Sequence, residues 1–226
     1  MKRLSPYVRT LDALRKAMRK LNNKALDAAV HKSLETKTSI AETLGDPDYF
    51  APLLEALPHL RIEEGWRLDA KFDDGGWGGK LLFFATDGRQ REDLVRHVGL
   101  DGSAESVWEL RLLRYCVKVF YLFWHANYED MCVVTSLRRM NLDAVRIGED
   151  RDYVLQRLKP EDRRRLEAWD MAPSVEVDGD EATIRYCTFS PFGGFLKIRE
   201  RVRVRPYEII KGEVEENVEY DCGIRF

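Results

Sequence analysis

Residues 195–221, FLKIRERVRVRPYEIIKGEVEENVEYD, set five basic side chains on alternate positions: Lys197, Arg199, Arg201, Arg203 and Arg205. A period of two is the period of a β-strand, whose successive side chains point to opposite faces. The run that follows alternates as well, with Glu213, Glu215, Asn217, Glu219 and Asp221 in step. Folded as a hairpin, the two runs suit each other best when Arg205 faces Glu213, Arg203 faces Glu215, Arg201 faces Asn217, Arg199 faces Glu219 and Lys197 faces Asp221. Directly opposed charges of unlike sign favour such a pairing. The basic stripe is therefore expected to be neutralised within the hairpin, rather than held out for phosphate. The other face is apolar (Leu196, Ile198, Val202 and Val204, with Val214, Val218, Tyr220 and Cys222), interrupted by Glu200 and Glu216.

Working outward, the chain from 173 onward reads as strands and turns. SVEVDGDEATIRYCTF (174–189) carries Asp178-Gly179, the strongest short hairpin signal, and SPFGG (190–194) supplies the next turn. The first 58 residues read as helices. Leu11, Leu14, Met18 and Leu21 recur at helical spacing, with Arg15, Lys16, Arg19 and Lys20 on the other side. Short helices are expected at about 24–34 and 36–44, and another after GDPDYF (45–50), capped by Asp46 or Asp48. Over 60–73 (LRIEEGWRLDAKFD) apolar and polar residues alternate, which predicts one strand with Trp66, Leu68 and Phe72 buried together. KLLFFAT (80–86) is apolar on both faces and suits the centre of a sheet, and a short helix is expected at about 90–98. Residues 107–126 fit a helix opened by a Ser106–Glu109 capping box, although VKVFYLFW would also suit a buried strand. MCVVTS (131–136) reads as a short strand, and 151–169 as solvated helices broken at Pro160. The expected fold is α+β in a single domain: a helical amino-terminal region (1–58), a central β-hairpin and helices (59–172), and a carboxy-terminal antiparallel β-meander (173–226).

Composition narrows the function classes. Hydrophobic residues make up 44% of the chain and charged residues 34%, which argues against disorder. The net charge is −2, yet residues 1–32 carry +7 and the remainder −9. A basic head on an acidic body suits a nucleic acid, a membrane surface or the body itself. The basic start has no apolar run behind it, so no secretory signal is expected. The most apolar stretch, 107–126, contains Glu109, Arg111, Arg114 and Lys118, too much charge for a membrane span. Cys116, Cys132, Cys187 and Cys222 lie far apart and read as reduced, buried thiols of a cytoplasmic protein, with no metal site and no cofactor.

Several stretches invite chemistry. Glu200 and Glu216, on the apolar face as diagonal neighbours, could form an acid–base pair, since burial and mutual repulsion raise one carboxyl pKa. His125, with Cys132, could serve as base and nucleophile, or share a helix face with Glu129. His31, His59 and His97 stand alone in the sequence. FDDGGWGGKLL (72–82) lacks the spacing and the Ser or Thr of a phosphate loop and reads as a hairpin turn, with Trp77 at its tip as an anchor for a partner. The Arg15, Lys16, Arg19 and Lys20 cluster suits phosphate or an acidic protein surface, but no aromatic residue interleaves with it. The leading expectation is a binding protein with a protein partner. The alternatives are a small hydrolase using carboxylates over the carboxy-terminal sheet and, third, nucleic-acid association through the basic helix.

Overall fold

The computed structural model describes residues 5–73, 80–119, 132–140, 151–191 and 193–221. The architecture is α+β, with helices first and antiparallel sheets after them. The chain divides into two compact units, residues 9–127 and residues 1–8 with 128–226. Among the described residues no helix is long and apolar enough to cross a membrane.

The unit of residues 9–127 contains most of α1 (Pro6–Leu21), then α2 (Lys24–Thr36), α3 (Ile40–Leu44) and α4 (Ala51–Glu55). Leu11, Leu14, Met18 and Leu21 of α1 are buried, as their spacing requires. Asn23 starts α2 by accepting from the Ala25 and Leu26 amides at 2.9 and 3.2 Å. Ser39 does the same for α3, accepting from the Glu42 amide at 3.3 Å. The helix α4 departs from expectation: Phe50 stands at its cap and neither Asp46 nor Asp48 caps it, Asp46 accepting instead from the Asp48 amide at 3.1 Å.

The run 60–73 is two strands, not one. Strand β1 (Leu60–Ile62) and β2 (Arg67–Asp73) are separated by a turn closed by the Trp66 amide on the Glu63 carbonyl, 3.0 Å, with Gly65 at φ +83°. Only glycine enters that region readily, and the turn sends the two halves into different sheets. Strand β1 pairs with β5 (Val98–Leu100), while β2 pairs with β3 (Lys80–Thr86) and β3 with β4 (Arg91–Glu92). Strand β3 thus lies at the centre of its sheet. The helix expected at about 90–98 is β4, a single 3₁₀ turn (Leu94–His97) and the start of β5. Helix α5 (Ala104–Val119) confirms the helical reading of 107–119, while 120–126 lie outside the described residues. Its start is set by Ser103, whose hydroxyl accepts from the Ser106 amide at 3.0 Å. Ser106 and Glu109 are therefore inside the helix, and Glu109 reaches away to the His59 amide.

The other unit is a five-stranded antiparallel sheet built on β8 (Glu181–Ser190). On one side β8 pairs with β9 (Gly194–Arg203), which pairs with β10 (Glu208–Val218). On its other edge lie two short strands, β6 (Cys132–Val134) beside Cys187–Phe189 and β7 (Ser174–Asp178) beside Glu181–Arg185. Helices α6 (Arg151–Arg157) and α7 (Pro160–Glu167) come between β6 and β7 in the chain. Val154, Leu158, Leu166 and Met171 cluster with Cys187, Phe189, Phe195 and Val218 of the sheet. Gly194, at φ +69°, fits because a Cβ there would collide with the Val218 carbonyl oxygen and approach the Tyr220 nitrogen at 2.9 Å.

The register of the last hairpin differs from the one that charge pairing favours. Arg203 faces Glu208, Arg201 faces Lys211, Arg199 faces Glu213 and Lys197 faces Glu216, with irregularities between Ile209 and Lys211 and between Val214 and Glu216. The chain turns directly at Val204–Tyr207, so pairing begins nearer the turn than opposite-charge matching alone would place it. Each irregularity then slips the register by one residue, as a bulge does. The stripe is still answered by acid. Arg203 pairs with Glu208, Lys197 with Glu216 at 2.9 Å, and Arg201 with Glu181 on β8 at 3.4 Å.

Candidate functional site

The slip between Val214 and Glu216 separates the two carboxylates expected to share a face. Glu200, opposite Gly212, is 6% exposed and accepts from the Tyr186 hydroxyl at 3.0 Å. Glu216, opposite Lys197, has 42% of its side chain exposed, and the Lys197 hydrogen bond, above other contributions, lowers its pKa. They are not a pair. Cys132 is buried in the core cluster of its unit, and Cys187 beside it is pushed up to about 12 by burial, the opposite of an activated thiol. His125 and Trp77 lie outside the described residues. Of the basic cluster on α1, Arg15 is 3% exposed, so it belongs to the buried side of the helix; Lys16, Arg19 and Lys20 are exposed. Arg19 and Lys20 also occupy the last turn, where cations offset the helix dipole.

Two histidines that stand alone in the sequence have acidic partners in space. His59 Nδ1 lies 2.9 Å from Asp101 Oδ2. His97 places Nδ1 2.8 Å from Glu63 and Nε2 3.2 Å from Glu92, while its ring stacks on Trp66 at 3.5 Å and 15°. The Glu63 hydrogen bond is the main reason its pKa rises above the ordinary value. Trp66 is accordingly half-buried against His97, not part of the core with Leu68 and Phe72. Neither group makes a metal site: among the described residues no three His, Cys, Asp or Glu side chains are placed to hold an ion.

A cleft of about 510 Å³ opens between α3 with the loop after it and the polar face of the β2–β3–β4 sheet. Register builds its floor. Arg67 on β2 faces Thr86 on β3, and Thr86 faces Arg91 on β4, so one row across three strands carries a guanidinium at each end. Arg89 joins them from the β3–β4 turn. That turn is held locally. Asp87 accepts from the Arg89 and Gln90 amides at 2.8 and 2.9 Å, and Thr86 donates to the Gln90 carbonyl at 2.7 Å while accepting from the Gly88 amide at 3.0 Å. The Gln90 and Arg89 amides hold the Asp87 carboxyl below its usual range.

The acidic lining of the cleft is Glu42 on the exposed rim and Asp69 in the wall. Asp69 is buried, and its Oδ1 accepts from the Ala41 amide at 3.1 Å and the Ala70 amide at 2.7 Å, tying β2 to the start of α3. Among the described residues no ion pair and no side-chain hydrogen bond engages Arg67, Arg89 or Arg91. Arg91 rests its guanidinium over the Phe84 ring at 4.9 Å. Arg67 Nε is buried and has no hydrogen-bond partner. A larger cleft of about 760 Å³ in the other unit is lined by Arg138, Arg163, Glu167 and Asp170 among others, so its charges balance, and Arg163 is already paired with Glu167 at 3.2 Å. Of these two clefts, the arginine cleft is the one with positive charge in excess. No family model matches the chain, and neither a curated protein nor a solved structure does.

Proposed function

We propose that this chain is a binding protein whose ligand presents an anionic group to the cleft between α3 and the β2–β4 sheet. One observation carries the reading: Arg67, Arg89 and Arg91 converge on a single concavity and, among the described residues, have no ion-pair partner there. A guanidinium cannot deprotonate in this environment and offers five N–H donors in a fixed fork, so three together form a standing demand for acceptor oxygens. A cleft of this size also falls in the range of small-ligand sites. The ligand's source is a free molecule or the side chain of a protein partner, and the chemistry is recognition without bond making.

The test is thermal unfolding in millimolar concentrations of small anions, comparing the wild type with a variant carrying Arg67→Met and Arg91→Met. A ligand that binds only the folded chain raises its melting temperature by mass action. A rise in the wild type that disappears in the variant is expected. Equal rises in both, or none in either, would count against the cleft as the binding site.

A further inference from the structure

Resting on that reading, we propose that the group seated in the cleft is a phosphoryl dianion on a small polar body, with Arg67, Arg89 and Arg91 as its recognition residues. The argument begins with where the arginines come from. They stand at three backbone stations, β2, the β3–β4 turn and β4, and all three line the one cleft. A carboxylate offers two coplanar oxygens, which a single guanidinium fork satisfies side-on. A phosphoryl group offers three terminal oxygens splayed about phosphorus, enough to accept from several forks at once, and it carries close to two negative charges near neutral pH.

The remaining lining supports the same ligand. Asp69 Oδ1 is taken by two backbone amides, and Thr86 is engaged with the Gln90 carbonyl and the Gly88 amide, while no ion pair joins Asp69 to the arginines among the described residues. Gly88, at φ +91°, brings the turn beside the Arg67 terminal nitrogens, where a Cβ would lie 3.7 Å from both, at ordinary contact distance. Arg91 is stacked on Phe84 before any ligand arrives, which reduces the side-chain freedom lost on binding. Among the described residues no aromatic side chain lines the cleft, and the Phe84 ring nearby is covered by the Arg91 guanidinium, so they offer no surface on which a nucleobase would stack. Ser39, Ala41, Gly45 and Pro47 close the other side with small surfaces, suited to a short polar body, and the Glu42 carboxylate on the exposed rim leaves the three arginines in excess.

Calorimetric titration separates this proposal from the broader one. Glycerol 3-phosphate is the probe, glycerate its carboxylate counterpart, and a short phosphoserine peptide the same phosphoryl chemistry from a protein. Glycerol 3-phosphate is expected to bind at least about tenfold more tightly than glycerate, as charge-assisted forks to added oxygens require. Arg67→Lys keeps the charge and loses the fork, and should weaken the phosphate at least about tenfold. Arg89→Gln, at an exposed turn position, should weaken it too with an unchanged melting temperature, which keeps the test valid if Arg67 variants fold poorly. A phosphoserine peptide that outbinds glycerol 3-phosphate supports the phosphoryl assignment and moves its source to a protein; the reverse order supports it and keeps the source small. Glycerate binding as tightly as the phosphate overturns the phosphoryl assignment and leaves the anion cleft standing. No binding of either anion overturns both, and phosphate binding untouched by both variants places it elsewhere.

Discussion

Replacing Glu109 by glutamine isolates the proton chemistry of a fully buried carboxyl. Glu109 projects from α5, where Oε2 accepts from the His59 amide at 2.7 Å and Oε1 is buried without a hydrogen-bond partner. Desolvation is the dominant effect and lifts its pKa from the ordinary 4.5 to about 7. Between those two values the unfolded chain releases this proton while the folded chain keeps it, so folding stability falls as pH rises through that window. Each tenfold change in proton affinity is worth about 1.4 kcal/mol, so the full displacement makes up to about 3 kcal/mol. In Glu109→Gln the side chain cannot ionise. It retains a carbonyl oxygen for the His59 amide and adds a buried amide group lacking an acceptor, a loss of about 1–3 kcal/mol that does not vary with pH. The assay is urea unfolding at a series of pH values between about 5 and 8, with the two proteins compared at each. The variant should gain on the wild type as pH rises, by up to about 3 kcal/mol across the range. A difference that stays flat with pH would show that Glu109 titrates as an ordinary carboxyl, and the burial argument would fail.

Other outcomes follow from particular contacts. Gly194→Ala should destabilise by at least about 2 kcal/mol by chemical denaturation, because the new Cβ meets backbone of Val218 and Tyr220, whereas Gly179→Ala, with open space around it, should lose only about 1–2 kcal/mol from its positive φ. Trp66→Ala should lose about 1–2 kcal/mol, well short of a core tryptophan, since its main partner is the His97 ring. Because His97 is held above its ordinary pKa of 6.5, its charged form contributes stability that is complete below that value and is lost as pH rises through the raised one. Glu63→Gln should lower the His97 midpoint measured by proton NMR, and an unmoved midpoint would deny the contact. A double-mutant cycle between Arg203 and Glu208 should show a salt-sensitive coupling of a few tenths of a kcal/mol, and the same cycle between Arg203 and Glu215 none; the reverse result would restore the other register.

Local signals in the sequence carried a long way. The 3–4 spacing of Leu11, Leu14, Met18 and Leu21 reports a buried helix face, and the Asp178-Gly179 signal marks the hairpin between β7 and β8, although the two turn residues are Gly179 and Asp180 and Asp178 still pairs with Glu181. What local signals do not contain is register. The slips at Ile209 and Val214 decide which face Glu216 takes, and nothing in the alternation of 208–218 marks where a strand gains a residue. Arg15 shows the same limit for helices, since an amphipathic stripe does not say how wide its buried part is. The arginine cleft depends on pairing of three strands, and Arg67 lies far from Arg89 and Arg91 in the chain. A usable signal was present: Asp87-Gly88 follows KLLFFAT as a turn dipeptide and places Arg91 on a returning strand, a feature hidden when 90–98 is read as helix. His59 and His97 likewise gain their acidic partners only through the β1–β5 pairing and its surroundings.

Strands β6 and β7 both run antiparallel to β8 along the same edge, Val134 ending opposite Cys187 and Ser174 starting opposite Arg185, with only Tyr186 between. To β8 they are one strand, cut once. Residues 135–173 leave and return through neighbouring stations of that edge, so the sheet itself fixes the ends of the excursion. Closing such a span costs little more as its length grows, roughly 0.6 kcal/mol for each doubling. The apolar side chains it carries, Val154, Leu158, Leu166 and Met171, are consequently tethered over Phe189 and Phe195 at a high effective concentration. The sheet can therefore tolerate residues added to this excursion away from those four anchors, and changes in its length there should leave the pairing of β6, β7 and β8 intact.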